Sequence, residues 1–361
     1  MMMGFAGLRI ALVGPLPPPA GGMANQTRQL AELLRGEGAE VELVQTNAAY
    51  RPAWAGRVPV LRALFRLLPY LWALWRAAGR NDLLHLMANS GWSWHLFAAP
   101  ALCIGRLRGR PVLVNYRGGE ADGFLQRSAA VVGLSLRRAS ALLVPSGFLE
   151  AVFARHGFKA EVLPNIIDLA RFRAGGEPPT APHLLVARNL EPLYDNATAI
   201  RALALLRLHH PAARLTVAGS GPELTRLQEL ADSLGLGGAV SFAGRLEREA
   251  MAELYRDATL SLNPSLADNM PNSVLESLAS GVPVVSTEVG GVPYLVQHER
   301  TALLVPPRDP QAMADAVLRL LGDTALYQGL RAAGLAEVQR YTWARVGPQL
   351  AACYRRTLLI P

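Results

Sequence analysis

Residues 259–286 read Thr-Leu-Ser-Leu-Asn-Pro-Ser-Leu-Ala-Asp-Asn-Met-Pro-Asn-Ser-Val-Leu-Glu-Ser-Leu-Ala-Ser-Gly-Val-Pro-Val-Val-Ser. Thr259–Leu262 and Val282–Ser286 are short apolar runs of the kind that form buried strands. Between them, Pro264 and Pro271 keep a loop from being helical, Asn272 or Ser273 can cap a helix, and Gly281 can end it. A strand, a helix and a second strand in one short segment make a βαβ unit, whose strands run parallel beneath the helix.

The same alternation runs outward in both directions. The first half has strand-like runs at Leu8–Val13, Val41–Val44, Leu83–Leu86, Pro111–Asn115, Ala141–Val144 and Glu161–Leu163, separated by helical stretches such as Asn25–Arg35, Trp92–Leu107 and Leu125–Arg137. The second half has His183–Ala187, Arg214–Ala218, Val240–Phe242, Thr259–Leu262, Val282–Ser286 and Ala302–Val305, with helices such as Asn196–Leu208 and Glu223–Leu234. Such alternation predicts α/β architecture, parallel sheets covered by helices on both faces. Arg173-Ala-Gly-Gly-Glu-Pro-Pro-Thr-Ala-Pro182 has the composition of a linker. The expected organisation is therefore an N-terminal domain over 1–172, a linker at 173–182, a second domain over 183–342 and a final helical segment over 343–361. Ligands of open α/β sheets bind at the C-terminal strand edges, which places the expected site in a cleft where those edges face each other.

With 361 residues, half of them hydrophobic, the chain can build two cores. Cys103 and Cys353 are its only cysteines and have no metal-ligand spacing, so neither a disulfide framework nor a zinc site is expected, and a cytoplasmic setting fits. Met1 to Phe5 lacks the basic and apolar regions of a secretory leader. The net charge of +8 suits an anionic substrate or surface; since 35 of the 36 basic residues are arginine, it reads as the codon bias of a high-GC bacterium as much as a binding device. No basic run interleaved with aromatics points to nucleic acid.

Asp268 stands eight positions before Glu276, so the two carboxylates flank a helix N-terminus. The N–H groups of residues 272–275 would carry partial positive charge suited to phosphate, with sugar hydroxyls at one carboxylate and a ribose at the other. Ser273-x-x-Glu276 also has the form of a capping box, and the residues alone leave both readings open. The segment, with Val282–Ser286 and Gly290-Gly-Val-Pro293, resembles the Glu-x7-Glu motif of family 4 retaining glycosyltransferases, with Asp268 in place of the first Glu. That resemblance implies the GT-B fold, two doubly wound Rossmann-like domains facing a cleft, and a donor site formed by Asp268, Asn269, Met270, Pro271, Asn272, Ser273, Val274 and Glu276.

Arg188, after the first strand of the second half, stands where the family has the Arg of Gly-Arg-x-x-x-x-Lys, a guanidinium able to fork onto a diphosphate. Leu193, Tyr194 or Asp195 occupies the place of the family's lysine. Arg117, in Asn115-Tyr-Arg-Gly-Gly-Glu-Ala-Asp122, replaces the histidine of many relatives and is the candidate second cation, unless it pairs with Glu120 or Asp122. Gly21 and Gly22 open a helix and are expected to form an anion-binding nest. Gly244 and Leu246, in Phe242-Ala-Gly-Arg-Leu246, are expected at the nucleotide base. Val217-Ala-Gly-Ser-Gly-Pro-Glu223 lacks the third glycine of a dinucleotide fingerprint and reads as scaffold, as does Val162–Asp168 with its Asn165 and Asp168. The histidines have no metal-ligand spacing and Asp-x-Asp is absent, so metal independence and no cofactor beyond a nucleotide sugar are expected.

Residues 54–80 place Arg62, Arg66, Arg76 and Arg80 on one helix face among tryptophans and leucines, too charged to span a bilayer; the segment suits an anionic membrane surface or a helix broken at Pro69. The resemblance implies transfer of a hexose from a UDP- or GDP-sugar to a cell-envelope glycan or lipid-linked acceptor, in the cytoplasm or on the inner membrane face. A GT-B module that binds a nucleotide sugar without transferring it is the alternative, motivated by the missing Lys and His.

Overall fold

The central apolar runs are strands because both their faces are covered. The computed structural model describes residues 4–18, 21–50, 59–176, 179 and 181–359. They form two compact units, Met1–Asn165 with Trp343–Pro361, and Ile166–Thr342. The first contains β1 (Arg9–Gly14), β2 (Glu40–Gln45), β3 (Leu83–Ala88), β4 (Val112–Tyr116), β5 (Ala141–Val144) and β6 (Glu161–Val162), in the order β2-β1-β3-β4-β5-β6, every pair parallel. β3 and β4 are buried along their whole length, so their sequences run apolar rather than alternating. Helix Trp343–Leu359 packs in this unit: Phe5 stacks on Trp343 at 5.6 Å between centroids and meets Tyr354 edge-on at 5.7 Å.

The second unit contains β7 (His183–Val186), β8 (Arg214–Ala218), β9 (Val240–Gly244), β10 (Leu260–Asn263), β11 (Val284–Thr287) and β12 (Leu303–Val305), in the order β12-β11-β10-β7-β8-β9, again parallel. The chain runs outward from β7 to β9 and returns beside β7 as β10, which puts the topological switch between β7 and β10. The units divide at Asn165, ahead of the composition-based boundary, because Ile167 and Phe172 pack in the second unit's core around Tyr255.

Two helices depart from their sequence reading. The stretch expected at Trp92–Leu107 begins as a π-helical turn, Trp94–Ala98, and becomes α-helical at Ala99, where Pro100 has no N–H to continue an i to i−4 ladder backward. Helix Pro59–Arg80 is one helix through Pro69 and is not broken there; Pro69 is exposed, so water can replace the missing donor. Residues 54–58 and the Arg62 side chain lie outside the described structure. The expected arginine stripe is divided, because Arg80 is ion-paired with Glu42, Arg66 lies over the Tyr50 ring and Arg76 over the Trp72 ring.

Candidate functional site

Strands β7, β10 and β11 are neighbours, so the residues just past their C-terminal ends converge. Arg188 follows β7, Asn263 ends β10 and leads into the 264–271 loop, and the Gly290-Gly291 turn follows β11. The Arg188 side chain is 11% exposed and ion-paired with Asp268, which is equally buried. Its Nε donates to Asn263 Oδ1 at 2.8 Å, and its guanidinium carbon sits 4.9 Å from the centre of the Tyr194 ring. Asn263 is fixed in turn, donating to Ser286 Oγ at 2.9 Å and accepting from Ser265 Oγ at 3.0 Å. Burial lowers the pKa of Arg188, opposed by Tyr194, Tyr255 and Glu276. The Tyr194 ring, in the segment where the family's lysine is expected, packs on Arg188 and holds that cation without adding one.

The glycines of this region are explained by close packing. A Cβ at Gly219 would stand 2.0 Å from the Arg188 carbonyl oxygen, and one at Gly221 would stand 2.3 Å from that of Leu190. The Gly-Ser-Gly turn is thus a bed for the Arg188 segment. Gly290, with φ +52°, and Gly291 do the same for the acidic loop: added Cβ atoms would lie 2.3 Å from the Asp268 oxygen and 1.7 Å from the Asn269 oxygen. Gly291 N–H donates to the Asp268 carbonyl at 2.8 Å, and Asp268 Oδ1 accepts from the Asn269 N–H at 3.1 Å.

Helix Asn272–Ala279 has Pro271 as its N-cap, two residues earlier than a Ser273 cap requires, and Pro271 has no side-chain oxygen to offer. The capping box is not formed: Ser273 is buried inside the first turn, and Glu276 faces Tyr255, whose hydroxyl lies 3.2 Å from Glu276 Oε2 and from the Ser273 carbonyl. The expectation of four open amides is also corrected, since those of Val274 and Leu275 bond to the Pro271 carbonyl at 3.2 and 3.3 Å. Burial raises Glu276 to about 7, with Tyr255, Arg248 and Arg188 pulling the other way. Met270 and Val274 are buried in an apolar cluster with Tyr255, and Leu246 packs against it; Gly244 ends β9 in the left-handed region, φ +67°.

The raised Glu276 has a stability consequence with a definite sign. A carboxyl that titrates higher folded than unfolded binds more protons when folded, so its contribution is complete below about 4.5 and is lost as pH rises through about 7. Glu276→Gln is expected to remove this slope, leaving the variant with a higher Tm than the native protein at pH 8 and little difference at pH 4.5. Melting curves across that window check it; equal slopes would contradict it.

In the first unit, Arg117 follows β4. Its Nε donates to Asn115 Oδ1 at 2.8 Å and its guanidinium to Asn165 Oδ1, and burial lowers its pKa to about 10. It does not pair with Glu120 or Asp122; Asp122 is met by His156 at 3.1 Å and Arg155 at 3.4 Å. Because Asn115 Oδ1 faces Arg117, its Nδ2 donates to His85 Nε2 at 3.0 Å, and His85 Nδ1 then carries the proton toward Tyr354 Oη at 2.7 Å. Burial and Arg117 hold His85 neutral, at about 3. Gly118 is needed because a Cβ would meet Asn89, Tyr116 and Ser90 at 2.6–2.8 Å.

Gly21 caps helix Gly22–Gly36 with extended backbone, φ −168°; neither Gly21 nor Gly22 has a positive φ, and a Cβ at either would meet open space. The alternating backbone of a nest is therefore absent there, and what remains is a helix N-terminus. Asn165 accepts from Arg117, and Asp168 caps the turn at Ala170 and Arg171. Among the described residues, no three His, Cys, Asp or Glu side chains stand close enough to hold a metal.

Sequence reading missed Tyr194, Asn263 and Tyr255. Tyr194 sits in the segment where a lysine was sought, but nothing in the chain order shows its ring lying on Arg188.

Residues 21–165 match the glycosyl transferase 4-like domain, and residues 181–323 match the family described as glycosyl transferases group 1, one in each unit. The chain belongs to the group 1 glycosyltransferases. The chain is similar to the exopolysaccharide phosphotransferase of Streptomyces coelicolor, 32% identical over 212 residues that cover 58% of this chain and 22% of that protein. To the D-inositol 3-phosphate glycosyltransferase of Acidothermus cellulolyticus it is 33% identical over 218 residues, 55% of this chain and 48% of that one. The chain thus spans about half the length, or less, of these curated relatives. The crystal structure of Anabaena Alr3699/HepE in complex with UDP superposes with a TM-score of 0.76 at 18% identity, covering 97% of this chain and all of that one. The architecture is GT-B, with two Rossmann-like domains.

Proposed function

We propose that this group 1 glycosyltransferase is a retaining, metal-independent enzyme that moves a hexose from a UDP- or GDP-sugar to a hydroxyl of a cell-envelope glycan or lipid-linked sugar. The observation that carries the reading is Arg188: a guanidinium held by Asn263 and Tyr194 at the switch point of a parallel sheet, and paired with Asp268 in the loop that leads into helix Asn272–Ala279. A fixed cation there neutralises charge on a departing diphosphate without reorganisation, the role a metal plays in other transferases. Glu276 takes the ribose hydroxyls, the apolar cluster of Leu246 and Met270 takes the base with Gly244, and the loop of Asp268 and Asn269 faces the sugar. The acceptor hydroxyl attacks the anomeric carbon on the leaving-group face and loses its proton to the departing phosphate, which gives retention. In the first unit, Arg117, a buried guanidinium with two amide partners, and the open helix start at Gly21-Gly22 are the candidate anion contacts.

UDP and UDP-glucose are named with the HepE structures, which favours a uridine donor as first probe. A thermal-shift screen of nucleotide sugars tests the reading: a ligand at one hundred times its Kd stabilises by about 2.7 kcal/mol, whereas no shift with any UDP-, GDP- or ADP-sugar would contradict it. Binding without transfer is the second reading, favoured by Tyr194 standing where a second cation would be. Release of nucleotide diphosphate only when acceptor is supplied separates the two.

A membrane-borne acceptor is supported by the first unit's surface. In sequence, residues 43–119 contain ten arginines and one acid, Asp82, which is taken by Arg9 at 2.7 Å; of the ten, the Arg117 guanidinium is buried and Arg80 is paired with Glu42. On helix Pro59–Arg80, Leu68, Trp72 and Trp75 share one face and are 56%, 63% and 43% exposed, with Arg76 over Trp72 and Arg108 over Trp75. Among the described residues, no helix is long and apolar enough to cross a membrane. Aromatic rings beside arginines suit the headgroup layer, and each arginine there adds about 1 kcal/mol. The protein is expected to sediment with phosphatidylglycerol vesicles at low salt, less so at high salt, and less so after Arg76→Gln with Arg108→Gln. Failure to sediment at low salt would point to a soluble acceptor.

A further inference from the structure

The donor site as proposed already contains an anion. Asp268 is ion-paired with Arg188, each side chain 11% exposed, while the other faces of the guanidinium are committed to Asn263 and the Tyr194 ring. Both backbones are held in place. The Arg188 backbone lies against Gly219, and the Asp268 backbone lies against Gly290 and is bonded by Gly291, contacts too close for any Cβ. The shorter reach of Asp, compared with the family's Glu, keeps its carboxylate near its own anchored backbone.

We propose that Asp268 is the resident counter-ion of Arg188, which the donor diphosphate displaces on binding, and that the carboxylate so released is taken up by a hydroxyl of the donor sugar. This rests on the donor site proposed above. An incoming diphosphate exchanges one anion for another on Arg188 and leaves Asp268 with an unpaired charge. A nucleotide sugar offsets that loss through its hydroxyls, and a free nucleotide diphosphate does not. The exchange therefore discriminates against the spent nucleotide, favouring product release after transfer.

The test is calorimetric titration of UDP, GDP and ADP, and of UDP-glucose, into the native protein, Asp268→Asn, Asp268→Glu and Arg188→Ala. Asp268→Asn is expected to bind the free diphosphate more tightly, by roughly tenfold, because a desolvated competitor for Arg188 is gone. Its preference for the nucleotide sugar over the free diphosphate should fall in step, and Asp268→Glu, which keeps the competing charge, should show no such gain for the free diphosphate. Unchanged or weaker diphosphate binding by Asp268→Asn, with binding lost in Arg188→Ala, overturns the counter-ion role alone. Unchanged binding in Arg188→Ala overturns the donor site and this proposal with it. A measurement without variants stands beside these: in a crystal structure of the native protein with UDP, Arg188 should contact the diphosphate with its Asp268 pairing lost, and an intact pair would overturn the exchange.

Discussion

Replacing Arg188 with alanine is expected to weaken nucleotide diphosphate binding by ten- to a hundredfold, the loss of a charge-assisted contact worth about 1.5–3 kcal/mol. The effect should be this large because nothing nearby substitutes for it: Tyr194 supplies a ring and Asn263 an amide. The variant also leaves the Asp268 carboxylate in a site where its side chain is 11% exposed without its partner, so it should melt earlier than the native protein. Adding Asp268→Asn to Arg188→Ala should recover melting temperature without recovering affinity. Calorimetry and melting curves on the single and double variants read the two effects separately, and native affinity in Arg188→Ala would remove the arginine from the site.

A comparable loss is expected from a change that touches no ligand. The Cβ of Gly291→Ala would fall 1.7 Å from the Asn269 carbonyl oxygen, so the 268–269 loop must move off the β11 turn. Overpacking of backbone on backbone costs about 1–3 kcal/mol, and here it also displaces the carboxylate of Asp268 from Arg188. Both stability and donor affinity should fall. Gly329→Ala is the control: it lies in helix Thr324–Glu337 of the same unit, has no positive φ and meets open space, so the substitution should be neutral or stabilising by about 0.4–1 kcal/mol and leave donor affinity unchanged.

The parallel sheets were legible because the central strands β3, β4, β7, β10 and β11 are buried along their whole length, which leaves continuous apolar runs between glycine and proline punctuation. The positions of Arg188 and Asp268 were legible because each follows a strand whose end the alternation fixes. Their pairing was not, since it depends on β10 inserting beside β7 after the chain has passed through β8 and β9, a long-range choice that no local pattern records. Tyr255 was missed for the same reason: it lies on helix Arg248–Arg256, which reads as an ordinary amphipathic helix until its hydroxyl is seen at Glu276. The capping box failed for a local cause, since Asn272 is already helical with proline at the cap. The nest at Gly21-Gly22 failed because a glycine pair permits the left-handed region but does not require it.

Hydrogen–deuterium exchange with saturating UDP-sugar, or with whichever nucleotide sugar gives the largest thermal shift, locates the donor on the chain. If the donor is held at the ends of β7, β10 and β11, the strongest protection should fall in segments 186–196, 263–281 and 286–292 of the second unit. Protection confined to the first unit, or absent from these three segments under conditions where binding is shown by melting temperature, would contradict the account.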